Sequence, residues 1–210
     1  MIQSKFSPWI QRGILGLAAL FFFILTLLIS YEVTIHTIHK TPPQQATISY
    51  LLSDTALPPH YTPNEIDHLQ DVKQITSNIT FAFYSLMTVL ISLIILLVYL
   101  TKKTLKVKEK AQTLILSIVS KISMLSIILG LLFTLIIIIN FNLAFTYFHY
   151  LLFPQGNWQF PYDSQLITTF PEAFFNTITI RIAIITVLLQ LIAPITMMII
   201  KRRNSQKVKN

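Results

Sequence analysis

The chain contains no cysteine, which excludes disulfides, thiolate nucleophiles and cysteine-ligated metal centres. Four glycines are too few for a glycine-rich phosphate loop, and neither H-E-x-x-H nor G-x-S-x-G occurs. Charge is equally scarce. Charged side chains make up 11% of the 210 residues, whereas a soluble domain carries roughly 25%. They are also clustered, with long apolar runs between the clusters. A water-soluble globule is excluded before any motif is read.

What the chain has in quantity is apolar length. Four stretches, about Gly13–Tyr31, Ile79–Leu100, Ile122–Ile139 and Ile182–Ile200, approach or exceed the ~20 apolar residues that cross a hydrocarbon core about 30 Å thick. Each is expected to be a helix, because backbone polar groups in lipid must bond within their own segment. The expected fold is an all-α membrane protein with four transmembrane helices in a single membrane domain. Lys5 and Arg12 precede the first stretch like the start of a signal peptide. Its apolar run is long for that, and no small-x-small cleavage site follows Ile29, so it reads as a retained span.

The basic residues set an orientation. Lys5 and Arg12 precede span one, and Lys102, Lys103, Lys106, Lys108, Lys110 and Lys121 lie between spans two and three. Lys201, Arg202, Arg203, Lys207 and Lys209 follow span four, leaving Lys40, Lys73 and Arg181 elsewhere. The positive-inside bias then puts both termini and the 101–121 loop in the cytoplasm of a cell-membrane protein. Outside lie two segments, about 32–77 and 140–181, expected to form an outer cap. They hold all five histidines and every acid except Glu109. The net charge of +8 suits anionic lipid better than nucleic acid, since the lysines flank spans where head groups lie.

Local signals fill in the segments. The basic inner loop turns apolar from Leu114 to Val119, suggesting an interfacial helix, and the tail after Ile200 reads as a disordered basic anchor. Residues 32–62 look loop-like, with Pro42-Pro43 and Pro58-Pro59. Thr62-Pro63-Asn64-Glu65 is a capping box with proline at the first helical position, so a helix is expected from Pro63. Ile66, Leu69 and Val72 form its apolar stripe, with His68 and Asp71 neighbours on another face. A straight run would hold His68 about 16 Å above Ile79, at ~1.5 Å per residue, so a bend is expected at Ser77-Asn78. Thr169-Phe170-Pro171-Glu172 is a second capping box before the last span. The aromatics from Phe145 to Tyr162 fit either a head-group belt or a site built around His149 and Trp158.

Two stretches carry a resemblance to a known family. Glu65-Ile66-Asp67-His68-Leu69-Gln70-Asp71-Val72-Lys73 resembles the E-x-x-H-x-x-D-V-K signature of a bacterial four-span family. Phe148 through Phe160, reading FHYLLFPQGNWQF, resembles its F-H-x-x-L-F-P-x-G-x-W-x-F signature, and Pro171-Glu172-Ala173-Phe174-Phe175 resembles the P-E-x-F-F that follows. Order, spacing and topology agree over most of the chain, with only hydrophobic character comparable before Tyr50. That family includes the lipoprotein intramolecular transacylase of Gram-positive bacteria.

The resemblance implies acyl migration within a diacylated lipoprotein, in the presence of membrane lipid and with no cofactor. A chain would move from the diacylglyceryl ester to the α-amine of the N-terminal cysteine, giving the lyso form. Such a substrate carries its own nucleophile and its own ester, so the enzyme must supply alignment and proton movement. Alignment alone is worth roughly 7–11 kcal/mol, and an amine with a pKa near 7.7–8.0 needs a base, for which histidine is suited. His68 and His149 are the implied catalytic pair, expected within about 10 Å of each other, with either one the base. Glu65, Asp71, Lys73, Tyr150, Trp158, Glu172 and Arg181 are the supporting candidates. Asp71 or Glu65 would orient His68, Lys73 would pair with an acid, and Trp158 would wall an acyl cleft. Glu172 also reads as a plain helix cap. Arg181 either snorkels to the interface or pairs with an acid near the site. A non-catalytic assembly factor or transporter partner fits the four spans equally well but leaves the outer histidines without a purpose. A zinc site lacks the helical i, i+4 histidine pair, so none is expected.

Overall fold

The computed structural model describes residues 8–105 and 111–207. Lys5, Lys106, Lys108, Glu109, Lys110 and Lys209, all invoked for orientation, lie outside the described residues. Among the described residues seven helices follow one another: α1 Pro8–Thr37, α2 Pro42–Leu52, α3 Pro63–Leu105, α4 Ala111–Ile139, α5 Phe141–Leu152, α6 Gln165–Thr169 and α7 Glu172–Lys207. No strand occurs among the described residues. Helices α1, α3, α4 and α7 are each long and apolar enough to cross a membrane, and the architecture is the expected all-α, four-span one. The first turns of α3 carry Glu65, Asp67, Asp71 and Lys73.

Several local expectations change. The bend expected at Ser77-Asn78 is absent from the hydrogen-bond ladder, as α3 is helical without a break through both residues. The apolar stretch from Leu114 to Val119 is helical and runs without a break into the third span as the start of α4. The tail expected to be disordered continues α7 to Lys207. The 42–52 stretch is helical, not loop: Gln44 Oε1 accepts from Thr41 N at 3.0 Å, so Thr41-Pro42-Pro43-Gln44 is a cap with prolines in the first turn. The second expected box does not form. Thr169 closes α6, its carbonyl accepts from Gln44 Nε2 at 2.8 Å, and α7 starts at Glu172 itself.

The chain divides into two compact units. One comprises residues up to 30, 84–132 and from 183 on. There, lipid tails are as apolar as leucine, so helix association rests on close packing and buried polar bonds. Gln190 is fully buried on α7, and its Nε2 donates to Thr26 Oγ1 on α1 at 3.0 Å and to Ser126 Oγ on α4 at 2.7 Å. Thr186 Oγ1 donates to Ser30 Oγ at 2.9 Å.

The other unit comprises residues 31–83 and 133–182. Its core is Ile35, Ile48, Tyr61, Leu69, Leu166 and Phe170. The Tyr61 and Thr47 hydroxyls share a 2.7 Å bond within it. Both signatures lie in this unit.

Candidate active site

The site starts from how α3 begins. Glu65 Oε2 accepts from Thr62 N and from Thr62 Oγ1, each at 2.8 Å, so the carboxylate half of the expected capping box forms. Glu65 Oε1 accepts from Leu166 N at 2.7 Å, joining the first turn of α3 to the first turn of α6. The side chain is 1% exposed. Burial works to raise its pKa, but bonds from the backbone of Thr62, Leu166 and Gln165 and from the Thr62 hydroxyl outweigh it and hold the carboxyl below 4.5. Glu65 therefore anchors the turn of α3 that leads to His68, with its carboxylate engaged by Thr62 and Leu166.

His149 lies in the last turn of α5. Its Nδ1 sits 2.7 Å from the carbonyl of Phe145, one turn back. A carbonyl only accepts, so Nδ1 carries the proton and Nε2 keeps the lone pair of the neutral ring, an assignment made from the bond. After α5 the chain turns at Gly156, whose φ of +83° lies in the left-handed region that glycine adopts without strain. Gly156 N donates to Phe153 O at 3.0 Å, and the turn folds Asn157, Trp158 and Phe160 back toward the two imidazoles.

The rings of His68 and His149 have centroids 6.3 Å apart and planes inclined by 28°. Phe153 and Phe160 pack against His68 at 4.6 and 5.5 Å. Phe145 and Trp158 pack against His149 at 4.0 and 4.9 Å, and Tyr150 meets Trp158 edge-on at 5.3 Å. Both histidines are buried, at 7% and 9% exposure. Their aromatic surroundings disfavour charge. Desolvation, then repulsion from His149, pushes the His68 pKa down to about 4, with Asp71 and the Asn157 side chain working in the opposite direction. Desolvation also lowers His149 from 6.5, and the bond to Phe145 partly offsets it.

Three buried polar atoms around the rings have no hydrogen-bond partner: His68 Nδ1, Asn157 Oδ1 and Trp158 Nε1. An unpaired buried polar group costs about 1–3 kcal/mol. Such atoms beside a histidine pair are candidates for bonds to a bound substrate.

The remaining candidates divide. Asp71 Oδ2 accepts from Asn157 Nδ2 at 2.6 Å and from Gln155 Nε2 at 2.7 Å, so its carboxylate belongs to the site edge. Lys73 does pair with an acid, but the acid is exposed Asp54 at 3.7 Å. Its Nζ also donates to Ser53 O at 2.9 Å and lies 4.5 Å from the Tyr50 ring centre, which makes it a tie to the end of α2. Glu172 is exposed in the first turn of α7, where a negative charge suits the helix dipole. Arg181 is exposed and forms no ion pair among the described residues, which favours snorkelling. Gln155 and Asn157 occupy variable positions of the second signature, so that pattern alone gave no reason to single them out. Two clefts of about 190 and 350 Å³ in the same unit are lined by other residues, Tyr61 and Gln165 in one and His36 and Lys40 in the other.

Fold and site together define a multi-pass membrane protein with a buried, aromatic-walled pair of imidazoles. The family model for the lipoprotein intramolecular transacylase Lit matches residues 44–175, more than half of the chain and the whole of the site. The chain belongs to that family. It is a membrane-integral acyltransferase whose chemistry is intramolecular acyl transfer in lipoproteins. Among solved structures it is similar to the membrane-integral lipoprotein intramolecular transacylase Lit from Bacillus cereus. The TM-score is 0.66 and the identity 21%, over 97% of this chain and 99% of that one. Two structures of histidine-substituted forms of the same enzyme, one to arginine and one to alanine, each give a TM-score of 0.67 at 20% identity. They cover 94% of this chain and 95% and 96% of theirs. At such identities the likeness establishes the fold. No curated protein matches the chain.

Proposed function

We propose that the protein moves one acyl chain of a diacylated lipoprotein from the glyceryl ester to the α-amine of the N-terminal cysteine, with His68 as general base and His149 as general acid. The observation that carries this reading is the 6.3 Å spacing of two buried imidazoles, of which His149 has Nδ1 committed to Phe145 O while His68 Nδ1 has no partner.

His68 stays neutral at physiological pH and offers a lone pair to the amine. As the amine nitrogen bonds to the ester carbonyl carbon, that nitrogen becomes acidic and His68 removes its proton. His149, when protonated, keeps Nδ1–H on Phe145 O and directs Nε2–H at the carbonyl oxygen where negative charge develops. The same proton passes to the glyceryl oxygen as the carbon–oxygen bond breaks. The amine loses one proton and the glyceryl oxygen gains one, so the product is an isomer of the substrate. Proton exchange through solvent then returns the pair to its starting state. Phe153, Phe160 and Trp158 keep water off the ester, and Tyr150 braces Trp158.

The unit holding the histidines faces outward from the cell membrane and both termini are cytoplasmic, on the distribution of basic residues. The test is His68→Ala and His149→Ala, separately and together, with lyso-lipoprotein formation read by mass spectrometry. Loss of a general acid or base reduces rate by 10²–10⁴-fold, and the double substitution should cost little more than either single one. Retention of activity by either single variant within a few-fold would overturn the pair.

A further inference from the structure

The site contains a third group whose orientation is fixed from outside. Asp71 can only accept, and Asn157 Nδ2 donates to its Oδ2 at 2.6 Å. That bond settles which way the Asn157 amide points, because the alternative would set two oxygens against each other. Oδ1 is therefore turned away from Asp71, is buried, and has no partner. His68 Nδ1 is likewise buried and unpartnered, and the Asn157 side chain interacts with His68 in the sense that favours a protonated ring. An oriented acceptor beside a buried imidazole is the arrangement by which a base is itself held in register.

We propose that Asn157 is a positioning residue for His68, linking Asp71 to the imidazole as a carboxylate–amide–imidazole relay. This deepens the proposed two-histidine reaction and rests on it. In the relay, Asn157 Oδ1 accepts a ring N–H of His68, which directs the other ring nitrogen, with its lone pair, at the substrate amine. When His68 takes the amine proton, the positive charge is held by Oδ1 and, one bond further, by Asp71. A direct carboxylate–imidazole contact would do the same but would also hold the ring charged between turnovers. The uncharged amide favours the charged ring less than a carboxylate would, so burial still leaves the ring neutral and ready as a base. Gln155 Nε2 also donates to Asp71 Oδ2 at 2.7 Å, but from an exposed side chain outside the relay. The titratable groups that act on His68 are Asp71 from its own helix and His149 from α5; the 153–160 turn contributes neutral Phe153, Asn157 and Phe160.

The test uses the full-length protein in vesicles with a synthetic diacylated lipopeptide, comparing Asn157→Ala, Asp71→Asn, their double, Gln155→Ala and His68→Ala. Rates are measured across pH, and His68 is followed by NMR in protein labelled with ¹⁵N-histidine. Asn157→Ala and Asp71→Asn should each slow turnover roughly 10–100-fold, the range seen when the partner that orients a reactive imidazole is removed. The double should be no slower than the worse single, as expected of residues acting in series. Both singles should lower the His68 pKa and alter its tautomer ratio, whereas Gln155→Ala should slow turnover less than about threefold and leave the ring signals in place. Should Asn157→Ala fail to fold, Asp71→Asn keeps the acceptor in place and tests the same link. An Asn157→Ala protein with unchanged His68 signals and Gln155-like turnover, beside an inactive His68→Ala, overturns the relay alone. An active His68→Ala overturns the two-histidine reaction on which it rests.

Discussion

Replacing His68 by phenylalanine separates the reaction from the packing. The ring already lies among Phe153 at 4.6 Å and Phe160 at 5.5 Å, so an apolar ring meets apolar neighbours. Folded His68 resists protonation until about pH 4, against an ordinary 6.5. In the unfolded chain it takes a proton below about 6.5. Between these values the unfolded state binds more protons, so stability contributed by a neutral His68 is full above about pH 6.5 and is lost as pH falls toward 4. At 1.36 kcal/mol per pH unit the loss is at most about 3 kcal/mol, or roughly 6–12 °C in melting temperature for a chain of this size. Thermal unfolding of purified wild type and His68→Phe at pH 7.5 and at pH 4 measures it. Glu65 and His149, whose pKa values are also lowered, add acid sensitivity common to both proteins. Wild type should therefore lose more than the variant by up to about 3 kcal/mol, while the variant loses activity 10²–10⁴-fold. Parallel melting curves would refute the buried, neutral histidine. Surviving activity would refute its role as base.

Cysteines placed in this cysteine-free chain at Ser53 and Asp163 should label from outside intact cells and one at Gln206 should not; the reverse pattern would turn the site toward the cytoplasm. Glu65→Ala leaves Leu166 N and Thr62 N without their acceptor, so it should lower stability by about 2–5 kcal/mol, seen as a fall in melting temperature with little mature protein in the membrane. Gln190→Leu removes two interhelical bonds worth about 0.6–1.7 kcal/mol each in a bilayer, and should lower thermal stability without changing the pH profile of turnover. His39→Ala, outside both signatures, should remain as active as wild type in lipopeptide turnover; a loss matching that of His68→Ala would point to the wrong histidines.

The spans were legible because twenty apolar residues in a row have few alternatives in water. The helix from Pro63 was legible because Thr62 and Glu65 carry a local capping chemistry that needs no tertiary partner. The same chemistry misleads at Thr169, where the carbonyl is claimed by Gln44, 125 residues away in sequence, and a five-residue helix ends instead of a long one beginning. At Thr41 the signal was present, yet the paired prolines suggested a loop when they serve as first-turn residues. Gln190 and its partners form a neutral network whose members look unremarkable one by one. The histidine pair was visible only through its two signatures, and Asn157 not at all, since its meaning depends on which side of its amide faces Asp71.

In the proposed reaction both halves belong to one substrate molecule, and His68 and His149 carry the proton between them. A crossover experiment decides this. Two diacylated lipopeptides, differing in peptide mass and in the isotope of their acyl chains, are incubated together with the protein in vesicles. Tandem mass spectrometry then locates each chain. The expected products have unchanged mass, one chain moved to the cysteine amine and only parental label combinations, and none form with the double histidine variant. Crossed labels, loss of a chain to water, or the same products from the double variant would contradict it.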